Sequence, residues 1–260
     1  MKALVVQSYR TVNVPGWIDT CMSTVRKWAV KASFEYEFLG DELFDLVPNW
    51  YRKKAGSLYT VTTDLARLIL MNQRLSSGYD LCVWFDADVL VFNEELVIDK
   101  GVDYGFSNEV WMWIEPGGAI GHDYRVNNSV CCFSRASLGV LSSYVNECLT
   151  TIKRSLHIEF ADASTSLLSA KHRESGLPLL GNVGLLPPAV LQAIANDDTA
   201  VTSECVRLYG EPLYAANLCH SFRQGLHEER VADAVFLKAI SKLLATRGGI
   251  LNGSLAVAAR

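Results

Sequence analysis

The chain has 260 residues, half of them hydrophobic, and a formal net charge of −4. That is ample material for a self-sufficient core, and the acidic balance without a dense Lys/Arg stripe argues against a nucleic-acid binder working by phosphate neutralisation. Seven cysteines lack Cys-x-x-Cys spacing, and there is neither an N-terminal signal-like segment nor an apolar run of about 18 residues, so a reduced, cytoplasmic protein without a transmembrane segment is expected. Asn127-Asn128-Ser129 and Asn252-Gly253-Ser254 match the N-glycosylation acceptor pattern and, without a secretory signal, read as chance matches.

Residues 3–8 read as a first strand, and Pro15-Gly16 then breaks the chain. Ile18, Met22, Val25, Trp28 and Ala29 recur at helical spacing over 17–31, and 35–39 alternates like a strand. Pro48-Asn49-Trp50-Tyr51 reads as a connection, and Arg52-Lys53-Lys54 as a solvated loop. A helix is expected over 63–74, with Thr62 or Thr63 as N-cap and Asp64 in the first turn. After Ser76-Ser77-Gly78 comes the apolar run Leu81-Cys82-Val83-Trp84-Phe85, a strand buried on both faces of a parallel sheet. Beyond 89–92, residues 104–106 and 129–133 read as strands, and 111–118 as a loop. Helices are expected near 137–155, 164–171, 185–195 and 232–245, and residues 245–260 form a weakly patterned tail. No repeat or linker divides the chain, so one domain over 1–260 is expected, with strand and helix alternating as in an α/β fold.

Asp86-Ala87-Asp88 stands directly between two apolar runs. Burying two carboxylates uncompensated is costly, so they need a cation, a basic partner, or a place at the mouth of the sheet. A divalent metal answers best, because both carboxylates can turn toward one ion where strand gives way to loop.

Thr63-Asp64-Leu65-Ala66-Arg67, a Gly-containing turn, and an apolar strand ending in Phe85-Asp86-Ala87-Asp88 closely resemble the central block of GT-A glycosyltransferases, nearest to glycosyltransferase family 32 and the glucosylating-toxin catalytic domains. The resemblance implies a Rossmann-like, mainly parallel central sheet flanked by helices. It also implies transfer from a nucleotide-diphosphate sugar, by analogy a UDP-sugar, to an unread acceptor such as a glycan, with retention at the transferred carbon. Asp64, Arg67 and Asp86 would meet the donor sugar, and Asp86 and Asp88 would hold Mn²⁺ or Mg²⁺ with the diphosphate. His220, in Ala216-Asn217-Leu218-Cys219-His220-Ser221, resembles the late His segment that completes such a metal site. Gln7, Ser8 and Tyr9 match the opening strand that receives the base. Asn128 and Asp162 match segments that border the sugar and the reacting carbon. The familiar Gly-Gly-x-Tyr before the strand is replaced here by Ser77-Gly78-Tyr79-Asp80.

Plainer readings stand beside these. His220 also reads as a structural histidine, Asp162 as a cap for the helix near Ser164, and Tyr9 and Trp17 as core aromatics; His122, His157, His172 and His227 have no identified partners. An apolar strand ending in Asp-x-Asp is shared with haloacid-dehalogenase-type phosphatases, in which Asp86 would be the nucleophile, although that strand normally opens its domain. A catalytically silent nucleotide-sugar-binding module is the remaining alternative.

Overall fold

The computed structural model describes residues 1–222 and 230–251. The first half alternates as expected through β1 (Ala3–Ser8), α1 (Gly16–Lys31), β2 (Glu35–Leu39), α2 (Asn49–Ala55), α3 (Tyr59–Ser76) and β3 (Leu81–Phe85). There follow β4 (Val89–Val91), β5 (Tyr104–Ile114), β6 (Ile120–Ser134), α4 (Leu138–Arg154) and α5 (Thr165–Ser175). The described chain ends with β7 (Leu179–Leu180), β8 (Val183–Leu185), α6 (Pro188–Asn196), α7 (Thr199–Tyr209), β9 (Ala215–Asn217) and α8 (Asp233–Thr246).

The main sheet has the order β2-β1-β3-β6-β5-β7. β1 pairs parallel with β2 and β3, β7 pairs parallel with β5, and β6 alone runs against its neighbours. The protein is thus α/β with a mainly parallel sheet. Alternate side chains of a strand serve opposite faces, and the core divides accordingly. Leu4, Val6, Cys82, Trp84, Cys131 and Phe133 pack against α3 and α4 on one face. Ala3, Val5, Leu81, Val83, Phe85, Val130 and Cys132 pack against Val25 and Trp28 of α1 on the other. A smaller sheet, β4-β9-β8, lies beyond the end of β3.

Two features place a crevice. From β1 the chain goes to β2 on one side and returns to β3 on the other, which opens a cleft at the carboxyl ends of β1 and β3, where α/β sheets bind ligands. The β5–β6 hairpin also overshoots β3: β3 pairing ends at Phe85↔Val130, whereas β5 and β6 continue from Ser107↔Asn127 to Ile114↔Ile120 as an arm. Phe106 pairs with Cys131 but Ser107 with Asn127, so residues 128–130 bulge out of the β5 ladder. Bulges re-aim backbone and side chains at such edges.

Several expectations are corrected. Residues 111–114 are strand, because Met112 turns into the core and the aromatics beside it lie on the pleat. α3 starts at Tyr59; Thr63 is internal, its hydroxyl donating to the Tyr59 carbonyl, and Asp64 falls beyond the first turn. Residues 49–55 are helical, and there Arg52 donates to Asn49 Oδ1 and Lys54 to the Lys153 carbonyl. Residues 183–185 are strand, with α6 starting only at Pro188, a residue suited to a first turn. α7, unforeseen, is capped by the Asp198 carboxylate, which accepts from the amides of Ala200 and Val201. Gly184 admits the Tyr209 ring, which would lie 2.8 Å from an added Cβ, and the Tyr209 hydroxyl joins Val110 N, Leu185 N and the Leu185 carbonyl. In the tail, Gly249–Leu251 forms a helical turn with Leu251 buried. His227 and residues 252–260, including the second acceptor tripeptide, lie outside the described residues. All seven cysteines are free thiols, with Cys131 and Cys132 buried on β6.

Candidate active site

The buried stripe of α3 carries Leu65, Leu68 and Met71 over the sheet interior. One and two turns before Met71, toward the carboxyl edge, the same stripe presents Arg67 and Asp64, each about 4% exposed. Arg67 lies between two carboxylates, with NH2 3.0 Å from Asp64 Oδ1 and NH1 3.0 Å from Asp86 Oδ1. The bulge in β6 completes the set. Arg67 NH1 donates to the Asn128 carbonyl at 2.7 Å, Asn128 Nδ2 donates to Asp64 Oδ1 at 3.1 Å, and the Asp86 amide donates to the Ser129 carbonyl at 2.7 Å. Trp84, two residues before Asp86 on the same strand face, donates from Nε1 to Asp86 Oδ1 at 2.7 Å while its ring lies 5.1 Å from the Arg67 guanidinium carbon.

Asp88 is held from the opposite side. Its Oδ1 accepts from Asn217 Nδ2 at 3.0 Å, and its Oδ2 from the His220 amide at 2.6 Å. Cys219, between them, adopts a left-handed φ of 50° that aims the next amide at Asp88. Burial, only partly opposed by Arg67 and reinforced by the Asp88 charge, pushes the Asp86 carboxyl up to about 6. Burial likewise raises Asp88, against its bonds from the His220 amide and Asn217, and raises Asp64, against Arg67, Asn128 and the Ser164 hydroxyl. Asp64 and Asp86 thus share one guanidinium, whose charge also acts on Asp88.

The other expected site residues are distributed unevenly. Gln7 is fully buried; it donates to the Asp86 carbonyl and accepts from the Tyr36 hydroxyl, so it braces β1 against β3 from behind. Ser8 and Tyr9 are half-buried at the rim, where the Tyr9 hydroxyl is 3.5 Å from His220 Nε2. The His220 ring also lies 5.7 Å from that of Trp17, which stacks on Phe236 at 4.3 Å. Among the described residues no three His, Cys, Asp or Glu side chains are grouped to hold one ion, so the structure does not draw the His220 imidazole together with Asp86 and Asp88. Asp162 accepts from the Glu159 amide in a local turn and makes no bond to Asp64, Arg67, Asp86 or Asp88; it does not cap α5.

Sequence reading missed Trp84, Asn217 and Glu109. Trp84 is signalled by the i,i+2 spacing to Asp86, and Asn217 by its place in the late His segment. Glu109 was hidden in a stretch with no pattern of its own. It is 3% exposed, accepts from Asn127 Nδ2 at 2.7 Å, and has a raised pKa because of that burial.

The donor set suits a divalent cation in part. Each Asp88 oxygen accepts one hydrogen bond and keeps a further lone pair, and burial raises the pKa of both Asp86 and Asp88, so a cation there would offset the cost of keeping them charged. Carboxylate oxygens are hard ligands of the kind that Mn²⁺ and Mg²⁺ take.

A pH-dependent prediction follows for the metal-free protein. An aspartate titrates near 3.9 when unfolded, and Asp86 near 6 in the fold. Between these values the native state binds more protons, so the site's contribution to stability is present at low pH and is lost as pH rises through about 6. Asp86→Asn is expected to gain melting temperature relative to wild type from pH 4 to pH 7 in EDTA; a difference independent of pH would contradict the raised pKa.

The fold and site together define an α/β protein with an acidic crevice at the carboxyl edge of its sheet. No family model matches the chain, and neither does any curated protein. Among solved structures it is similar to the apo form of the glycosyltransferase GlyE of Streptococcus pneumoniae TIGR4, at 14% identity and a TM-score of 0.45, over 99% of this chain and 63% of that one. It is also similar to a glycosyltransferase involved in glycosylation of the major capsid of PBCV-1, at 12% identity and a TM-score of 0.35, over 57% of this chain and 67% of that one. The chain therefore spans less than two thirds of the length of the pneumococcal enzyme.

Proposed function

We propose that the protein is a metal-dependent glycosyltransferase of the GT-A type that moves a sugar from a nucleotide-diphosphate sugar, a UDP-sugar by resemblance, to a saccharide or other acceptor, with retention. The observation that carries this reading is the pairing of Asp64 and Asp86 with Arg67 at the carboxyl edge of β1 and β3, with Asp88 held two residues on by Asn217 and the His220 amide. A bound Mn²⁺ or Mg²⁺ would supply Lewis-acid neutralisation of the charge that develops on the departing diphosphate. Asp86 and Asp88 are the residues to hold it.

The chain's own groups do the rest. Arg67, with its guanidinium turned into the protein, is a positioning residue that fixes the orientation of Asp64 and Asp86. Asp64 offers acceptor capacity to sugar hydroxyls, since an ionised carboxylate has about four lone-pair sites. Asn128 holds Asp64 from the other side, and Tyr9 with Ser8 lines the entry from β1, where an aromatic face suits a base.

Isothermal titration of UDP with and without Mn²⁺ tests the reading. UDP affinity is expected to rise at least about tenfold with Mn²⁺ and to return to baseline in EDTA. Metal-independent UDP binding would remove the metal bridge, and hydrolysis of p-nitrophenyl phosphate with a phosphoaspartate trapped at Asp86 would replace transfer by phosphatase chemistry.

A further inference from the structure

A cavity of about 210 Å³ opens between α5 and the outer face of the β5–β6 arm, lined by Asn108, Tyr124, Val126, Ser169, His172 and Arg173, with Leu179 at one edge. It is smaller than a typical pocket for a drug-sized ligand, and no carboxylate lines it. Its polar groups are biased toward donation. His172 Nδ1 accepts from the Leu177 amide, which places the ring proton of the neutral imidazole on Nε2. Ser169 Oγ accepts from the Val126 amide and keeps its own proton to give. The Asn108 amide is half-buried and, like the Arg173 guanidinium, makes no side-chain bond among the described residues. Arg125, also at the lining, already faces Asp123 at 2.8 Å and Glu109 at 3.7 Å. Among the lining residues described, Arg173, exposed at the mouth, is therefore the guanidinium left for a ligand. The exposed Tyr124 and Leu179 side chains supply an apolar wall.

We propose that this cavity binds one anionic saccharide unit, a sugar phosphate or a sugar acid, with the pyranose C–H face on the apolar wall and the anionic group on Arg173, His172 and Asn108. Size, wall and donors jointly point to this class, because free phosphate would leave the wall uncovered and a neutral sugar would gain nothing from the charge of Arg173, which is exposed at the mouth. The cavity shares the β6 and α5 framework of the acidic crevice: Val126 is two residues from Asn128, and Ser164, at the start of α5, supports the Asp64 charge. As an acceptor subsite the assignment rests on the glycosyl-transfer reading; as a binding site it does not.

The test is NMR titration of the full chain and of Arg173→Gln with glucose 6-phosphate, glucuronate, glucose and inorganic phosphate, alongside UDP with Mn²⁺. Glucose 6-phosphate and glucuronate are expected to shift the His172 and Tyr124 ring signals and to bind at least about tenfold more tightly than glucose or phosphate. Arg173→Gln is expected to erase that preference and leave UDP binding unchanged. Equal binding of glucose and glucose 6-phosphate, phosphate binding as tightly as the sugar phosphate, unshifted His172 signals, or loss of UDP binding in Arg173→Gln would each overturn the proposal. Absence of UDP binding in every form would instead refute the glycosyl-transfer reading and leave the sugar titration to decide the cavity.

Discussion

Asp88→Asn is expected to lower transfer by about 10²–10³-fold or more, the scale of removing one group that stabilises developing charge, and to remove the Mn²⁺-dependent part of UDP binding. The fold should persist. An amide oxygen can keep one of the two bonds that Asp88 accepts from Asn217 and the His220 amide. The other donor loses its partner at about 1–3 kcal/mol, offset in part because the repulsion from Asp86 disappears. Circular dichroism and donor hydrolysis on one preparation separate the effects. Full activity in a folded Asp88→Asn protein would exclude Asp88 from the site, and a preparation without secondary structure would make its role structural.

Arg67→Leu should produce the largest loss of stability of any single change in the crevice. The Arg67 side chain is 5% exposed and faces Asp64, Asp86 and the Asn128 carbonyl together, so its removal leaves two carboxylates without their cation and one carbonyl without its donor. Breaking a buried ion pair from one side costs about 3–5 kcal/mol, a large part of the 5–15 kcal/mol by which a domain is typically stable. Urea unfolding would read this as a lower midpoint with an unchanged slope. Adding Asp64→Asn to Arg67→Leu is expected to restore part of the loss, because one stranded charge is then gone. A single-variant loss below about 1 kcal/mol, the range of exposed pairs, would show that water compensates these carboxylates and that Arg67 does not hold them.

Much of the crevice was legible because its residues belong to patterns that local chemistry imposes. An apolar run ending in Asp86-Ala87-Asp88 is a buried strand whose charges must lie at an edge, and the i,i+3 spacing of Asp64 and Arg67 puts both on one helix face. The strand over 3–8, the helix over 17–31 and the strand over 81–85 follow from periodicities of 2 and 3.6, or from sheer apolar length. The beginning of α3 escaped because Thr62 and Thr63 suit a cap as well as an interior, and local sequence does not weigh the packing that extends a helix by a turn. The far part of β5, beyond the strand expected at 104–106, escaped because Trp111-Met112-Trp113 is strand-like only when a partner strand exists to cover it.

By itself the sequence determined an α/β chain with a carboxylate pair at the mouth of a buried strand and an Asp–Arg pair on the preceding helix. Only the tertiary structure decided that Arg67 faces inward to join Asp64 and Asp86, that Asn128 and Ser129 reach them through a bulge in β6, and that Asp88 is held by Asn217 and the His220 amide. The same is true of Gln7, which is a strut rather than an open contact. The physical reason is sequence distance: the bonds from Asp88 to His220 and from Arg67 to Asn128 span 132 and 61 residues. Hydrophobic periodicity records which face of an element is buried, but not which distant element covers it.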